Sequence, residues 1–195
     1  MIPQSKTARR LYGRFSLYWK PYFRKRGLLM NRILIIGSNG AGKSTFSFRL
    51  AGITGLPLVH IDQIYWRGDW DVTPVEEFDR LVRTEAQKSV WIIEGNNLRS
   101  LPQRLALADT VFWFEFPPAL CVRNVLRREL RYRGQVRPDM PDQCVSRLDF
   151  SFLRMVWSFN RKNHGRIASM LNAQDHIRVI RFTNYRQVKA YLNRL

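Results

Sequence analysis

The segment GSNGAGKST, from Gly37 to Thr45, has the clearest chemical signature in this 195-residue sequence. The spacing G-x-x-x-x-G-K-[ST] is met by Gly37, Gly42, Lys43 and Ser44 and is typical of a loop that binds phosphates. Backbone N–H groups and the positive end of the following helix would surround a polyphosphate, Lys43 would reach its outer phosphates, and the Ser44 hydroxyl would hold Mg²⁺. The other predicted contacts of the loop are Ser38, Asn39, Gly40, Ala41 and Thr45.

Two acidic residues follow apolar runs that read as buried strands. Asp62 comes directly after residues 57–61, where it could accept a proton from an acceptor hydroxyl, orient Mg²⁺-bound water or merely cap a loop. Glu94 comes after residues 90–93, where it could order the hydration shell of Mg²⁺ or simply meet solvent at a strand end. We interpret His60 as a half-buried strand residue rather than a catalyst.

A basic helix is predicted between residues 119 and 131. On a helical wheel its arginines fall on one side and its apolar residues on another, which predicts an arginine face and a core face. The arginine face is Arg123, Arg127, Arg128 and Arg131, and the core face is Ala119, Val122, Leu126 and Leu130. Guanidinium groups that close over a transferring phosphoryl group would neutralise its charge and exclude water, whereas a plain solvated basic face is the alternative.

The elements that must position these residues alternate between strand and helix. Apolar runs at residues 33–36, 57–61, 90–93, 110–114 and 177–182 predict five strands, and helical patterns between them predict a parallel α/β sheet. Thr73, Pro74 and Glu76 predict a helix with Thr73 as its N-cap in a capping box. A long helix over residues 149–170 is expected to bury its aromatic and aliphatic residues, which are Phe150, Phe152, Leu153, Val156, Trp157 and Phe159.

The net charge of +18 is the unusual bulk property of the chain. Eight lysines and arginines precede Met30 with no acidic residue among them, interleaved with aromatic residues. We expect residues 1–29 to be a basic aromatic extension and residues 30–195 to be the main domain. The alternatives for residues 1–29 are an artefact of an upstream start and a loose appendage. A field of this sign leaves nucleic acid open as a partner and, with less support, a membrane surface.

The two cysteines, Cys121 and Cys144, are too few for a disulfide framework and too widely spaced for a zinc pair. They predict two small buried thiols in a reducing cytoplasm. An aromatic loop with Tyr65, Trp66 and Trp70 could stack a base or sugar, and it could equally roof the core.

Five segments together carry a resemblance to a known family. They are GSNGAGKST from Gly37, HIDQIYW from His60, WIIEGNNLRSLPQRL from Trp91, ADTVFWFEFP from Ala108 and RELRYRGQVRPDM from Arg128. Residues 30–195 resemble the small P-loop kinases of the adenylate, shikimate and gluconate kinase group. The match is closer to the adenylate-kinase-like branch often labelled DNA topology modulation, or FlaR-like, proteins.

The resemblance implies a three-layer P-loop fold with a five-stranded parallel sheet of order 2-3-1-4-5. It also implies ATP and Mg²⁺ at the loop, an arginine-rich helical lid over about residues 123–148, and Asn184 beside the purine. The sequence departs from this family at Glu94, where the family usually has Asp, and at residues 1–29, which have no counterpart.

These observations predict an ATP-dependent phosphotransferase that acts on a hydroxyl or phosphate of a small molecule. Lys43 and the Gly37–Thr45 loop would hold the phosphates, and Ser44 and Glu94 would hold Mg²⁺. Asp62 would face the acceptor, and Arg127, Arg128 and Arg131 would close over the transition state. The alternative is a nucleic-acid-binding regulatory ATPase whose working surface is basic. The sequence indicates neither the acceptor nor the oligomeric state.

Overall fold

A computed structural model describes residues 30–146 and 149–195, so the predictions for residues 1–29 lie outside the described residues. The strands are β1 (Arg32–Gly37), β2 (Leu58–His60), β3 (Trp91–Glu94), β4 (Thr110–Phe114) and β5 (Arg178–Phe182). The helices are α1 (Lys43–Thr54), α2 (Ile61–Tyr65), α3 (Val75–Ala86), α4 (Leu101–Leu105), α5 (Pro118–Arg131), α6 (Phe150–Asn172) and α7 (Tyr185–Leu192), with a 3₁₀ turn at Gly68–Trp70.

The five strands form one parallel sheet in the order β2-β3-β1-β4-β5, which confirms the predicted topology. In this register Ile35 of β1 lies beside Glu94 of β3, and His60 of β2 lies on the other side of Glu94. The carboxyl ends of parallel strands meet at one edge of a sheet. The loops that follow β1, β2 and β3 therefore share a single edge.

Side chains of β1 alternate between two core layers, as the period of two in a strand requires. Ile33 and Ile35 face the layer in which the Phe46 ring of α1 lies 4.8 Å from the Phe112 ring. Leu34 and Ile36 face the opposite layer, which contains residues of α3 and α4. Complete burial of an aliphatic or aromatic side chain of this size contributes about 1.5–3 kcal/mol. The sheet thus lies between two layers of helices.

The predicted capping box at the start of α3 is wrong. The helix begins after Pro74, and no side chain caps it. Thr73 Oγ1 instead donates to the Ile64 carbonyl at 2.7 Å. A hydrogen bond to the preceding helix satisfies the hydroxyl, so it ties the α2–α3 loop together rather than capping α3.

The predicted core face of α5 is correct only at Val122, which is half-buried against the core. Cys121 and Val125 are its buried residues, whereas the Leu126 and Leu130 side chains are 37% and 74% exposed. The helix packs on the phosphate loop, because Asn124 Nδ2 donates to the Gly40 carbonyl at 2.9 Å. With this side of α5 against the loop, Leu126 and Leu130 point toward solvent. The orientation of the helix therefore depends on the position of the loop, which helical periodicity does not show.

The expectation that the aromatic residues of α6 are core residues holds in part. Val156 is buried and Phe152 is half-buried, but Phe150 and Trp157 are 78% and 58% exposed. The 23-residue helix buries a narrow stripe that continues at Ile167 and so leaves its other sides in solvent.

Both cysteines are buried and unpaired, in agreement with the prediction of small buried thiols. Within residues 30–146 and 149–195, the helices are too short or too polar to cross a bilayer.

Candidate phosphate-binding and phosphotransfer site

The loop between β1 and α1 has the backbone conformation that its glycines allow. Gly37, Gly40 and Gly42 have φ angles of 133°, 80° and 88°, a region that favours glycine. A Cβ at Gly37 would lie 2.2 Å from the Phe114 carbonyl oxygen, and one at Gly40 would lie 2.2 Å from the Cys121 carbonyl oxygen. The glycines therefore let the loop lie directly on β4 and α5 before the helix begins at Lys43.

Lys43 is the buried cation of this loop, with 6% of its surface exposed. Its Nζ atom donates to the Ser38 carbonyl at 3.3 Å and lies 3.6 Å from Glu94 Oε1. The ammonium group is thus held between the loop backbone and the carboxylate at the end of β3.

The Glu94 carboxylate contacts three other side chains of the site, those of Lys43, Ser44 and His60. The Ser44 hydroxyl lies 3.3 Å from Glu94 Oε2, and His60 Nδ1 lies 2.8 Å from the same oxygen. Burial alone would raise the pKa of Glu94, but the His60 hydrogen bond and the Lys43 charge outweigh it and lower the pKa below its usual value. Glu94 is therefore an ionised carboxylate in a buried position.

The sequence reasoning missed the role of His60. The residue is 4% exposed, and its Nδ1 must donate, because an ionised carboxylate only accepts hydrogen bonds. The signal was available in the order of the strands. Neighbouring parallel strands that both end in polar residues place those residues side by side, as His60 and Glu94 are.

Asp62 lies half-buried in the first turn of α2. Its carboxyl group interacts electrostatically with other charged residues of the site. Burial raises its pKa above the usual value, and the Glu94 and Asp139 charges raise it further, while Lys43 and Arg137 oppose the shift. Asp62 therefore lies within electrostatic reach of Lys43 and Glu94, and its role stays a prediction.

A third acidic residue at the site, Asp139, was not predicted. It lies in the segment of residues 135–146 that follows α5, and its Oδ2 accepts from the Ser44 hydroxyl at 3.1 Å. Arg137 is 8% exposed and its Nε lies 3.8 Å from Asp139 Oδ1. No motif in the sequence indicates this contact, because it joins residues 95 positions apart.

The loop after β3 holds the start of the phosphate loop. Asn96 Oδ1 accepts from the Gly37 N–H at 2.8 Å, and Asn96 Nδ2 donates to the Gly37 carbonyl. The fully buried Arg104 donates to the carbonyls of Gly95 at 3.1 Å and Asn97 at 2.7 Å. Burial lowers the pKa of Arg104 to about 10. Arg104 thus orders the loop that carries Asn96.

The arginines predicted to form a cluster on α5 differ in burial and in the residues that they contact. Arg128 is half-buried, pairs with Glu129 at 3.1 Å, and has its pKa lowered by burial and then by the nearby Arg137. Arg127 and Arg131 are exposed, and the Arg131 guanidinium lies 5.6 Å from the centre of the Tyr132 ring. Arg128 therefore belongs to the surroundings of Asp139, whereas the roles of Arg127 and Arg131 stay predictions.

Asn184 begins the last helix, and the next residue, Tyr185, lies beside the Gly37–Thr45 loop. The Asn184 side chain caps α7, because its Oδ1 accepts from the Gln187 N–H at 3.0 Å. The Tyr185 ring is 3.2 Å from the position of a Cβ on Gly42, and its hydroxyl accepts from Asn124 at 2.8 Å. The aromatic residues of the α2–α3 loop pack against one another and against α3. The Trp66 ring contacts the Trp70 ring, and the Tyr65 ring contacts the Phe78 ring of α3.

The structure is similar to solved kinases. A shikimate kinase from Bacteroides thetaiotaomicron matches with a TM-score of 0.50 and 17% identity over 85% of this chain and 96% of that one. The chain has the fold of a P-loop kinase. A sugar kinase from Janibacter sp. HTCC2649 (TM-score 0.49, 14% identity, 85% and 91% covered) is also similar. So is a shikimate kinase from Acinetobacter baumannii in complex with shikimate (0.49, 16%, 85% and 90%).

Comparisons of the sequence do not assign the chain to a family. No family model matches the chain, and no curated protein matches it.

Proposed function

We propose that this protein is an ATP-dependent phosphotransferase that moves the γ-phosphoryl group to a hydroxyl or phosphate of a small acceptor. One observation carries the proposal. Lys43 Nζ and Ser44 Oγ, the two side chains that a P-loop presents to a nucleotide, both lie within 3.6 Å of the Glu94 carboxylate. Asp62 belongs to the same electrostatic cluster, since the Glu94 and Lys43 charges both act on it. The arrangement thus offers a donor site and an adjacent carboxylate for an acceptor.

The side chains around Ser44 fit magnesium. They offer a hydroxyl and carboxylate oxygens, the ligands that Mg²⁺ prefers. Within the described part of the chain, no three His, Cys, Asp or Glu residues form a closed metal cage. Magnesium in kinases usually keeps several waters and binds through one or two carboxylates plus substrate phosphates, so Ser44 and Glu94 suffice as protein ligands. When bound, the ion would neutralise charge on the phosphates.

The chain's own residues would then act by position and charge. Backbone N–H groups of Gly37–Thr45 and the Lys43 ammonium bind the phosphates, and Lys43 exchanges its contact with Glu94 for one with the nucleotide. Asp62 orients the acceptor hydroxyl and accepts its proton as the oxygen attacks phosphorus and the bond to the leaving phosphate breaks. Its raised pKa makes it a better proton acceptor than an ordinary aspartate.

The remaining predicted roles belong to the same proposal. Arg127, Arg128 and Arg131 would act from a lid over about residues 123–148, of which Arg128 has the best support because it lies near Asp139. Asn184 would contribute to the purine site through its position before α7. The resemblance to DNA topology modulation proteins and the nucleic-acid-binding alternative both stay predictions, the latter because its main support is residues 1–29.

The test is acceptor-stimulated release of ADP by the purified protein. Nucleosides, nucleotides, sugars and small hydroxy acids, shikimate among them, form the acceptor panel, because the similar structures are sugar and shikimate kinases. We expect one class to stimulate ADP release, and we expect Lys43→Ala to lower that rate on the order of 10²-fold. An acceptor-stimulated rate that Lys43→Ala leaves unchanged would contradict the proposal.

A further inference from the structure

Residues 135–146 lie across the edge of the sheet that carries the site. Gln63 Nε2 of α2 donates to the Pro138 carbonyl at 3.1 Å. Trp70 Nε1 of the α2–α3 loop donates to the Val145 carbonyl at 3.1 Å. Contacts near both ends of the segment therefore hold it against α2, which also carries Asp62, and against the α2–α3 loop.

Between these contacts, the segment places Asp139 on the phosphate loop. Asp139 Oδ2 lies 3.1 Å from Ser44 Oγ, and Glu94 Oε2 lies 3.3 Å from the same hydroxyl. The Asp139 side chain is 17% exposed, and Arg137 lies beside it at 3.8 Å. Three oxygen atoms from three separate parts of the chain thus converge on one point.

A hydrogen bond alone does not account for this arrangement. A serine hydroxyl has one hydrogen, so it can donate to only one of the two carboxylates at a time. Two carboxylates held on one hydroxyl repel each other unless a cation lies between them. Adjacent ligands of an octahedral Mg²⁺ at about 2.1 Å are about 3 Å apart, and both distances from Ser44 Oγ are close to that value.

The charge of a nucleotide also favours a cation. Asp62, Glu94 and Asp139 bring three carboxyl groups to the site, and the charges that can offset them belong to Lys43, Arg104, Arg128 and Arg137. Binding of a nucleotide would add further negative charge. A divalent cation beside Ser44 would offset this added charge, and Asp139 is placed to share it.

We propose that Asp139 is a further residue of the magnesium site, so that docking of residues 135–146 and binding of the cation stabilise each other. This inference rests on the proposed function, since it assumes that a nucleotide binds at the P-loop. It adds to Ser44 and Glu94 a ligand that belongs to a separate segment. Binding of the nucleotide and cation would then favour the docked position of residues 135–146 beside Asp62.

The test measures binding of Mn²⁺, as a spectroscopic substitute for Mg²⁺, to the full-length protein with a non-hydrolysable ATP analogue. Electron paramagnetic resonance follows the fraction of free Mn²⁺. Asp139→Asn should weaken Mn²⁺ binding about tenfold or more, at the scale seen when groups around a metal are removed. Asp139→Glu, which keeps a carboxylate, should restore part of the affinity. Asp142→Asn, an exposed position in the same segment, should leave it unchanged.

The Asp139→Asn variant distinguishes a metal ligand from a residue that only accepts a hydrogen bond from Ser44. The amide oxygen of asparagine can still accept from the Ser44 hydroxyl, so a role limited to that hydrogen bond predicts wild-type Mn²⁺ affinity in this variant. Unchanged Mn²⁺ affinity in Asp139→Asn would overturn the inference and leave the proposed function intact. A wild-type protein that binds neither nucleotide nor Mn²⁺ would overturn the proposed function and this inference with it.

Discussion

His60 Nδ1 lies 2.8 Å from Glu94 Oε2, and both side chains are at least nine-tenths buried. The pair exists because β2 and β3 are neighbouring parallel strands that end opposite each other. His60 thus orients the carboxylate that also contacts Lys43 and Ser44. In the proposed mechanism, His60 is a positioning residue that acts through Glu94.

Replacement of His60 should loosen the magnesium site more than it affects the fold. His60→Phe keeps an aromatic ring against Phe48, whose ring centre is 5.0 Å away, but removes the donor to Glu94. We expect the Mg²⁺ concentration for half-maximal nucleotide binding to rise about tenfold. His60→Gln, which can still donate, should show a smaller change. Calorimetric titration of nucleotide at several Mg²⁺ concentrations tests this, and an equal loss in both variants would contradict it.

Asp62→Asn should stabilise the protein while it abolishes phosphotransfer. Because the pKa of Asp62 is raised in the folded state, ionisation of this carboxyl costs stability. The cost is absent below the ordinary pKa of 3.8, where the carboxyl is neutral in both states, and grows as pH rises through the folded pKa. The gain in free energy of unfolding should therefore increase with pH. Urea denaturation between pH 4 and pH 7 measures it, and a gain that falls with rising pH would contradict the prediction.

Glycine at position 40 should be essential for the loop. Gly40→Ala places a methyl group 2.2 Å from the Cys121 carbonyl oxygen in a backbone with φ of 80°, so the loop must move. We expect nucleotide binding to fall on the order of tenfold or more and the melting temperature to drop. Gly52→Ala is the matched control, because nothing lies within 4 Å of the added methyl group in α1. That change should stabilise the protein by about 0.4–1 kcal/mol. Wild-type nucleotide affinity in Gly40→Ala would refute this account of the loop.

Loss of Arg104 should destabilise the whole domain. Arg104→Met removes the donor to the buried Gly95 carbonyl, which costs about 1–3 kcal/mol when unsatisfied, and one donor to the half-buried Asn97 carbonyl. It also removes the packing of a fully buried side chain. We expect the free energy of unfolding in urea to fall by about 3 kcal/mol. Arg99→Met is the control, since the Arg99 side chain is 47% exposed and pairs with Asp79 at the surface. It should change the free energy by less than about 1 kcal/mol. Equal effects of the two variants would count against the role assigned to Arg104.

The sequence alone determined the fold and the conformation of the Gly37–Thr45 loop. The three central strands β1, β3 and β4 are buried on both faces, whereas the edge strand β5 is largely exposed. The order of the five apolar runs along the chain and the handedness of the crossovers restrict the sheet to few topologies. The glycines of the phosphate loop and the positions of Asp62 and Glu94 follow from the same local patterns. Each is decided by residues within a few positions along the chain, where backbone sterics and side-chain period act directly.

Only the tertiary structure decided which partners those residues meet. Helical periodicity showed an apolar stripe on α5, but the contact between Asn124 and Gly40 determined which side of the helix faces the core. The contacts of His60 with Glu94 and of Asp139 with Ser44 join residues 34 and 95 positions apart. Such pairs leave no periodic pattern, because their geometry depends on how whole elements pack against one another. The phosphate loop can therefore be recognised in the sequence, whereas the carboxylates that surround its serine become visible only when the chain is folded.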